Sequence, residues 1–233
     1  VAIQFIHATT EQEWIYHATS FFSDCLDEYE CPLITFPTGN TPAPFYQSLR
    51  NNKNIIGRDF RFLMLDEYAG LDADDPRHFS GWITRDLLDP LNVPDLQRHL
   101  FDPYATDINA ECDRFRRNRN DLGKLHLAFL GVGSNGHVAM NDPPADKNSS
   151  TRIIHMDDET YNANEKYWGI SDKHLPRTAY TLGINDIFQS QKIVIFLRHK
   201  NELLERLKNI RDADENFPVS LLYDHPHITV LSL

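Results

Sequence analysis

Leu125-His126-Leu127-Ala128-Phe129-Leu130-Gly131-Val132-Gly133-Ser134-Asn135-Gly136-His137 reads as a buried strand that ends in a glycine-rich turn. Three glycines within six residues let the backbone turn sharply and approach a ligand closely. His137 lies in that turn, and Asp142 follows five residues later in Asn141-Asp142-Pro143. Histidine titrates near neutrality and can move protons there. A carboxylate close to it can orient and charge the ring. The pattern fits a strand-end loop of an α/β enzyme. An ordinary glycine-rich connection with a solvated His137 is the competing reading.

Strands and helices alternate on both sides of this stretch. Thr10 to Tyr29 shows helical spacing of Trp14, Ile15, Ala18, Phe21, Phe22, Cys25 and Leu26, with Thr10 and Glu13 at capping-box spacing. Leu33 to Phe36 reads as a strand, followed by a helix to about Asn51 with Pro42 in its first turn. Phe60 to Leu65 is a further strand, and Phe79–Leu88 and Ile108–Asn118 read as helices. Tyr180–Ile184 and Ile193–Leu197 read as strands, Lys200–Ile210 as a helix and His227–Leu231 as a closing strand. Asn141–Ser150 is expected to be a loop, and Asp157–Arg177 a mobile cover over a site. The alternation predicts an α/β fold of three layers, a mostly parallel, Rossmann-like sheet with helices on both faces. No repeat or linker divides it, so residues 1–233 are expected to form one domain.

Composition narrows the partners. The net charge of −11 argues against nucleic acid and against an anionic membrane, which need a positive field. An anionic small molecule needs a local cluster of cations or backbone N–H groups instead. Cys25, Cys31 and Cys112 are odd in number and lack metal spacing, and Cys25 and Cys31 are expected to be buried thiols. With no disulfide framework, a reducing compartment, the cytoplasm, is expected. Val1 to His7 is too short and uncharged for a signal peptide, and no apolar run reaches membrane-span length. A homo-oligomer stays open.

Ligands of open parallel sheets bind beyond the carboxyl ends of the strands. Two further loops follow strands. In Thr38-Gly39-Asn40-Thr41, the next helix offers free N–H groups and a positive dipole end that suit phosphate. The alternative is a plain turn in which Thr41 caps the helix. In Asp66-Glu67-Tyr68-Ala69-Gly70, two adjacent acids after a buried strand could be a metal site, a general base or a solvated turn. The chain has no nucleophile-elbow serine or cysteine and no zinc spacing. General acid–base chemistry without a bound metal is therefore expected.

Taken together, these blocks resemble the glucosamine-6-phosphate deaminase/isomerase family, which shares its fold with 6-phosphogluconolactonases. The matching stretches are Pro37–Pro42, Leu65–Leu71, Gly131–His137 with Asn141-Asp142-Pro143, Ser150–Ile153, Tyr180–Gly183 and Pro218–Leu222. Asn141-Asp142-Pro143 and Asp66-Glu67-Tyr68 are closer to the deaminase branch than to the lactonase branch. The resemblance implies conversion of glucosamine- or galactosamine-6-phosphate to a ketose 6-phosphate and ammonia, with no metal or organic cofactor. It implies Asp66 as the base between C2 and C1. His137 would open the ring with Asn135 and Asp142 as companions. Gly39, Asn40 and Thr41 would hold the phosphate with Lys166 and Lys200.

Some positions depart from the family pattern. Asn135 stands where several members carry aspartate, and Asp142 is one methylene, about 1.5 Å, shorter than the usual glutamate. Lys166 replaces an arginine and loses its bidentate fork. Ile154 replaces a lysine near Arg152, so the resemblance does not carry allosteric control over to this chain. The alternatives are 6-phosphogluconolactonase and a non-catalytic phosphosugar-binding protein.

Overall fold

The computed structural model describes residues 3–169 and 173–233. Its strands in chain order are β1 (Gln4–His7), β2 (Leu33–Thr35), β3 (Arg61–Leu63), β4 (Asp66–Tyr68), β5 (Arg98–His99), β6 (Leu127–Gly131), β7 (Arg152–His155), β8 (Thr178–Thr181), β9 (Lys192–Leu197) and β10 (Ile228–Ser232). The α-helices are α1 (Glu11–Glu28), α2 (Ala43–Arg50), α3 (Phe79–Ile83), α4 (Ile108–Leu122), α5 (Asp158–Trp168), α6 (Ile184–Phe188) and α7 (Asn201–Lys208). Seven strands form one sheet in the order β1-β10-β9-β6-β2-β3-β5. Every neighbouring pair in it is parallel, as expected.

The apolar runs account for this arrangement. β2 is buried along its whole length, and β6 and β9 at every position but one. Strands covered on both faces read as continuous hydrophobic runs. Helix α1 buries Trp14, Ala18, Phe22, Cys25 and Leu26 on one stripe. Thr10 caps it by accepting the Glu13 N–H at 3.2 Å. Glu13 reaches back to the N–H of Thr9 at 2.8 Å rather than to that of Thr10, so the capping box is only half formed. The buried side chains make one continuous core, with Phe36 in ring contact with Phe22, Phe45, Phe60 and Phe129.

A second sheet, β4-β8-β7, is antiparallel and corrects two expectations. The chain leaves the main sheet after Leu63, and Asp66–Tyr68 pairs with Ala179–Thr181 instead of forming a loop. Tyr180 and Thr181 belong to this sheet, not to the parallel one, and Ile184 starts helix α6. An apolar run shows that a strand is buried but not which strand it pairs with. β7 had no strand signal because its residues are only partly covered. The helix expected to Leu88 is α-helical to Ile83 and finishes as a π-helical turn, Thr84–Leu88.

Cys25 and Cys112 are buried, and Cys31, expected buried, is half-buried in the turn before β2. Burial pushes the Cys25 thiol up to about 12. Among the described residues no helix is long and apolar enough to cross a membrane.

Candidate active site

From β2 the chain builds outward through β3 to β5 on one side. From β6 it builds through β9 on the other. Loops leaving adjacent strands in opposite directions open a crevice at the carboxyl edge. A cavity of about 920 Å³ lies there, between the loop after β2 and the loop after β6. Gly39, Asn40 and Thr41 line it from one side and Gly131 to Ser134 from the other. Asp66, His137 and Lys200 complete its polar wall. Two loops, a strand and the start of a helix, far apart in sequence, therefore converge on one space.

Two glycines of the β6 loop are dictated by what lies on them. A Cβ on Gly133 would fall 2.2 Å from the His137 ring, so the ring packs directly on bare backbone. Gly136 has φ +89° and carries the Phe217 ring where a side chain would project. The Gly133 N–H donates to the His137 carbonyl at 3.0 Å and closes the turn.

His137 has a defined proton arrangement. Its own N–H donates to Asn135 Oδ1 at 3.1 Å, which fixes the orientation of that amide. The same oxygen lies 2.8 Å from His137 Nδ1, so Nδ1 carries a hydrogen and donates to it. Nε2 is left as the acceptor in the neutral ring. Asp142 Oδ1 flanks Nδ1 at 3.5 Å, beyond direct hydrogen-bond range. Burial pulls the His137 pKa down, and the negative charges of Asp142, Asp157 and Glu159 draw it back up.

Asp66 and Glu67 point opposite ways from β4, as alternate residues of a strand must. Glu67 is fully buried and accepts N–H bonds from Tyr68, Phe79 and Ser80 at 2.9, 3.0 and 2.7 Å. It ties β4 to the start of α3. Burial pushes Glu67 up to about 7 against the pull of these donors. Asp66 lies deep but keeps one side open to the cavity. Among the described residues no hydrogen bond reaches its side chain. Burial first, and then the neighbouring Glu67 charge, push its carboxyl up to about 7. Of the three readings open for this pair, the solvated turn is excluded by the burial.

Helix α5 covers the cavity with Thr160, Ala163, Asn164 and Tyr167, an i, i+3, i+4, i+7 face. Lys166 falls off that face, is exposed, and is not brought to the cavity. The expected cover is thus a helix, and its residues 170–172 lie outside the described ones. Lys200, at the start of α7, donates to the Val132 carbonyl, and burial lowers its pKa. Thr41 does not cap α2. Pro42 holds the cap position without a side-chain bond.

The sequence reading missed Asp157, Thr160 and Arg206. Asp157 caps α5 by accepting the Thr160 N–H at 2.6 Å and takes a longer 3.4 Å contact from Asn135 Nδ2. An acid opening an Asp-Asp-Glu-Thr turn is a cap signal that could have found it. Arg206 lies over the Phe217 ring, 3.5 Å from its centroid, at the cavity rim.

Known proteins match the chain over most of its length. Residues 11–230 match the family described as glucosamine-6-phosphate isomerases/6-phosphogluconolactonase. A glucosamine-6-phosphate deaminase of Halalkalibacterium halodurans is 33% identical over 208 residues, 86% of this chain and 84% of that protein. One from Giardia intestinalis is 30% identical over 199 residues, covering 84% and 75% respectively. A solved monomeric glucosamine-6-phosphate deaminase superposes with a TM-score of 0.89 at 28% identity, over 99% of this chain and 97% of that one. The 6-phosphogluconolactonase of Thermotoga maritima shares the fold at a TM-score of 0.74 and 20% identity, over 99% and 98%. The chain belongs to the enzyme family of glucosamine-6-phosphate isomerases and 6-phosphogluconolactonases.

Proposed function

We propose that this chain is a glucosamine-6-phosphate deaminase that releases ammonia and forms the ketose 6-phosphate. The observation that carries this reading is Asp66, a deep carboxyl facing the cavity with no donor on it among the described residues. Such a carboxylate is a competent base for a proton on carbon next to a carbonyl. Asp66 takes the proton from C2 of the open-chain amino aldose and returns it to C1, while the C1 oxygen gains a proton. The resulting C2 iminium adds water and expels ammonia. His137, with Nδ1–H held by Asn135, presents Nε2 to the ring oxygen and anomeric hydroxyl during ring opening. Gly39, Asn40 and Thr41 bind the phosphate through backbone N–H groups, with Lys200 supplying charge.

Relatives named for glucosamine 6-phosphate support the gluco epimer over the galacto one. The solved monomeric relative supports an active monomer. The free thiols and a phosphorylated substrate support a cytoplasmic location. Ammonia release is measured on glucosamine- and galactosamine-6-phosphate, with 6-phosphogluconolactone hydrolysis alongside. Turnover of glucosamine 6-phosphate is expected. Lactone hydrolysis alone, or binding without turnover, would replace this reading by the lactonase or the binding-protein alternative.

A further inference from the structure

The carboxylate that should serve His137 does not touch it. Asp142 Oδ1 stops 3.5 Å from His137 Nδ1, and interactions of that length are weak. Both groups instead meet one hydroxyl. Thr160 Oγ1 donates to Asp142 Oδ1 at 2.6 Å and lies 3.2 Å from His137 Nδ1. The hydroxyl has one hydrogen to give and lone pairs to accept a share of Nδ1–H, whose shorter bond goes to Asn135 Oδ1 at 2.8 Å. Thr160 is only 1% exposed, so its hydroxyl has little contact with solvent.

The hydroxyl is fixed by its helix. Thr160 lies in the first turn of α5, where its N–H is taken by Asp157. The N–H of Asp157 in turn donates to the second oxygen of Asp142 at 3.1 Å. One helical turn therefore holds both Asp142 oxygens and places a hydroxyl between the acid and the ring.

We propose that Thr160 is a positioning residue that couples Asp142 to His137 through its hydroxyl. The hydroxyl takes a share of Nδ1–H beside Asn135 Oδ1 and passes the influence of the carboxylate to the ring, in place of a direct ion pair. This rests on the reading of His137 as an acid–base group, so the first test does not use turnover.

His137 is titrated by NMR in the ligand-free protein, in wild type and in Thr160→Val, Thr160→Ser and Thr160→Ala. The ring also faces Asp157, Glu159 and Lys200, which are unchanged in all four. Losing the hydroxyl removes an acceptor from Nδ1–H, so the imidazolium is less favoured. The midpoint should fall by about half a pH unit or more in Val and Ala and return in Ser. An unmoved or raised midpoint in the hydroxyl-free variants overturns the proposal, even if activity falls. If Val does not fold, Ala decides by the same criterion.

The second test uses ammonia release. Thr160→Val should lower kcat by about 10- to 100-fold with little change in KM. In an Asp142→Glu background, the longer acid can reach Nδ1 itself, and the same substitution should cost about 3-fold or less. Equal losses in both backgrounds overturn the coupling. If wild type releases no ammonia, the deaminase reading fails, and the titration alone decides the role of Thr160.

Discussion

Asp66 shows how a single residue ties stability to chemistry. Its carboxyl, pushed up to about 7, is protonated at pH 5 and ionised at pH 8 in the folded chain. As a base it works only when ionised, so kcat/KM should rise with pH through about 7. An acid limb near pH 4 would remove Asp66 from that role. Between the usual carboxylate value, about 4, and 7, the folded state holds a proton that the unfolded chain has lost. Stability therefore falls as pH rises through that window. Asp66→Asn should then cut kcat by at least about 100-fold, keep ligand binding within a few-fold, and melt higher than wild type at pH 8. The sequence placed an acid at the end of a strand. It did not reveal that Asp66 faces a cavity while Glu67 faces three N–H donors, because that depends on which sheet the strand joins.

At the scale of elements, the joint between β4 and α3 rests on Glu67. Its carboxylate is the partner of three N–H groups, from Tyr68, Phe79 and Ser80. Glu67→Ala would strand these buried donors, each at about 1–3 kcal/mol, and should lower the melting temperature by well over ten degrees or prevent folding. Glu67→Gln keeps the shape and removes the charge beside Asp66, so any active Gln variant should have its acid limb moved to lower pH. A limb that stays in place would exclude Glu67 as an influence on Asp66. The helices were legible because apolar periodicity and caps are local, as Thr10 and the stripe from Trp14 to Leu26 illustrate. β7 and the pairing of β8 were not, since Arg152–His155 is only partly covered and antiparallel pairing is a long-range choice. The same limit hid Thr160, whose hydroxyl meets residues on a different loop, whereas Asp157 carried a local cap signal.

Across the whole molecule, a net charge of −11 makes any anion site a local exception. The proposed phosphate site would be such an exception, with Lys200 and the Gly39–Thr41 loop lining the cavity. Inorganic phosphate at about 100 times its Kd should stabilise the fold by about 2.7 kcal/mol, read as a rise in melting temperature. Lys200→Met should shrink that rise, and Lys166→Met should leave it intact, because Lys166 lies off the cavity. The reverse pattern would move the anion to the outer side of α5.

The sheet order carries a consequence for biosynthesis. Strand β1 pairs only with β10 among the described residues, and Gln4 and Thr229 are 225 positions apart. At about 5–20 residues per second, the ribosome finishes β10 tens of seconds after β1 has been made. β1 waits without its neighbour for that time. Its residues are mostly exposed even in the finished fold, so the wait leaves little apolar surface uncovered. The fully buried β10 is made after both of its neighbours, so it enters between two strands already present and does not itself wait for a partner.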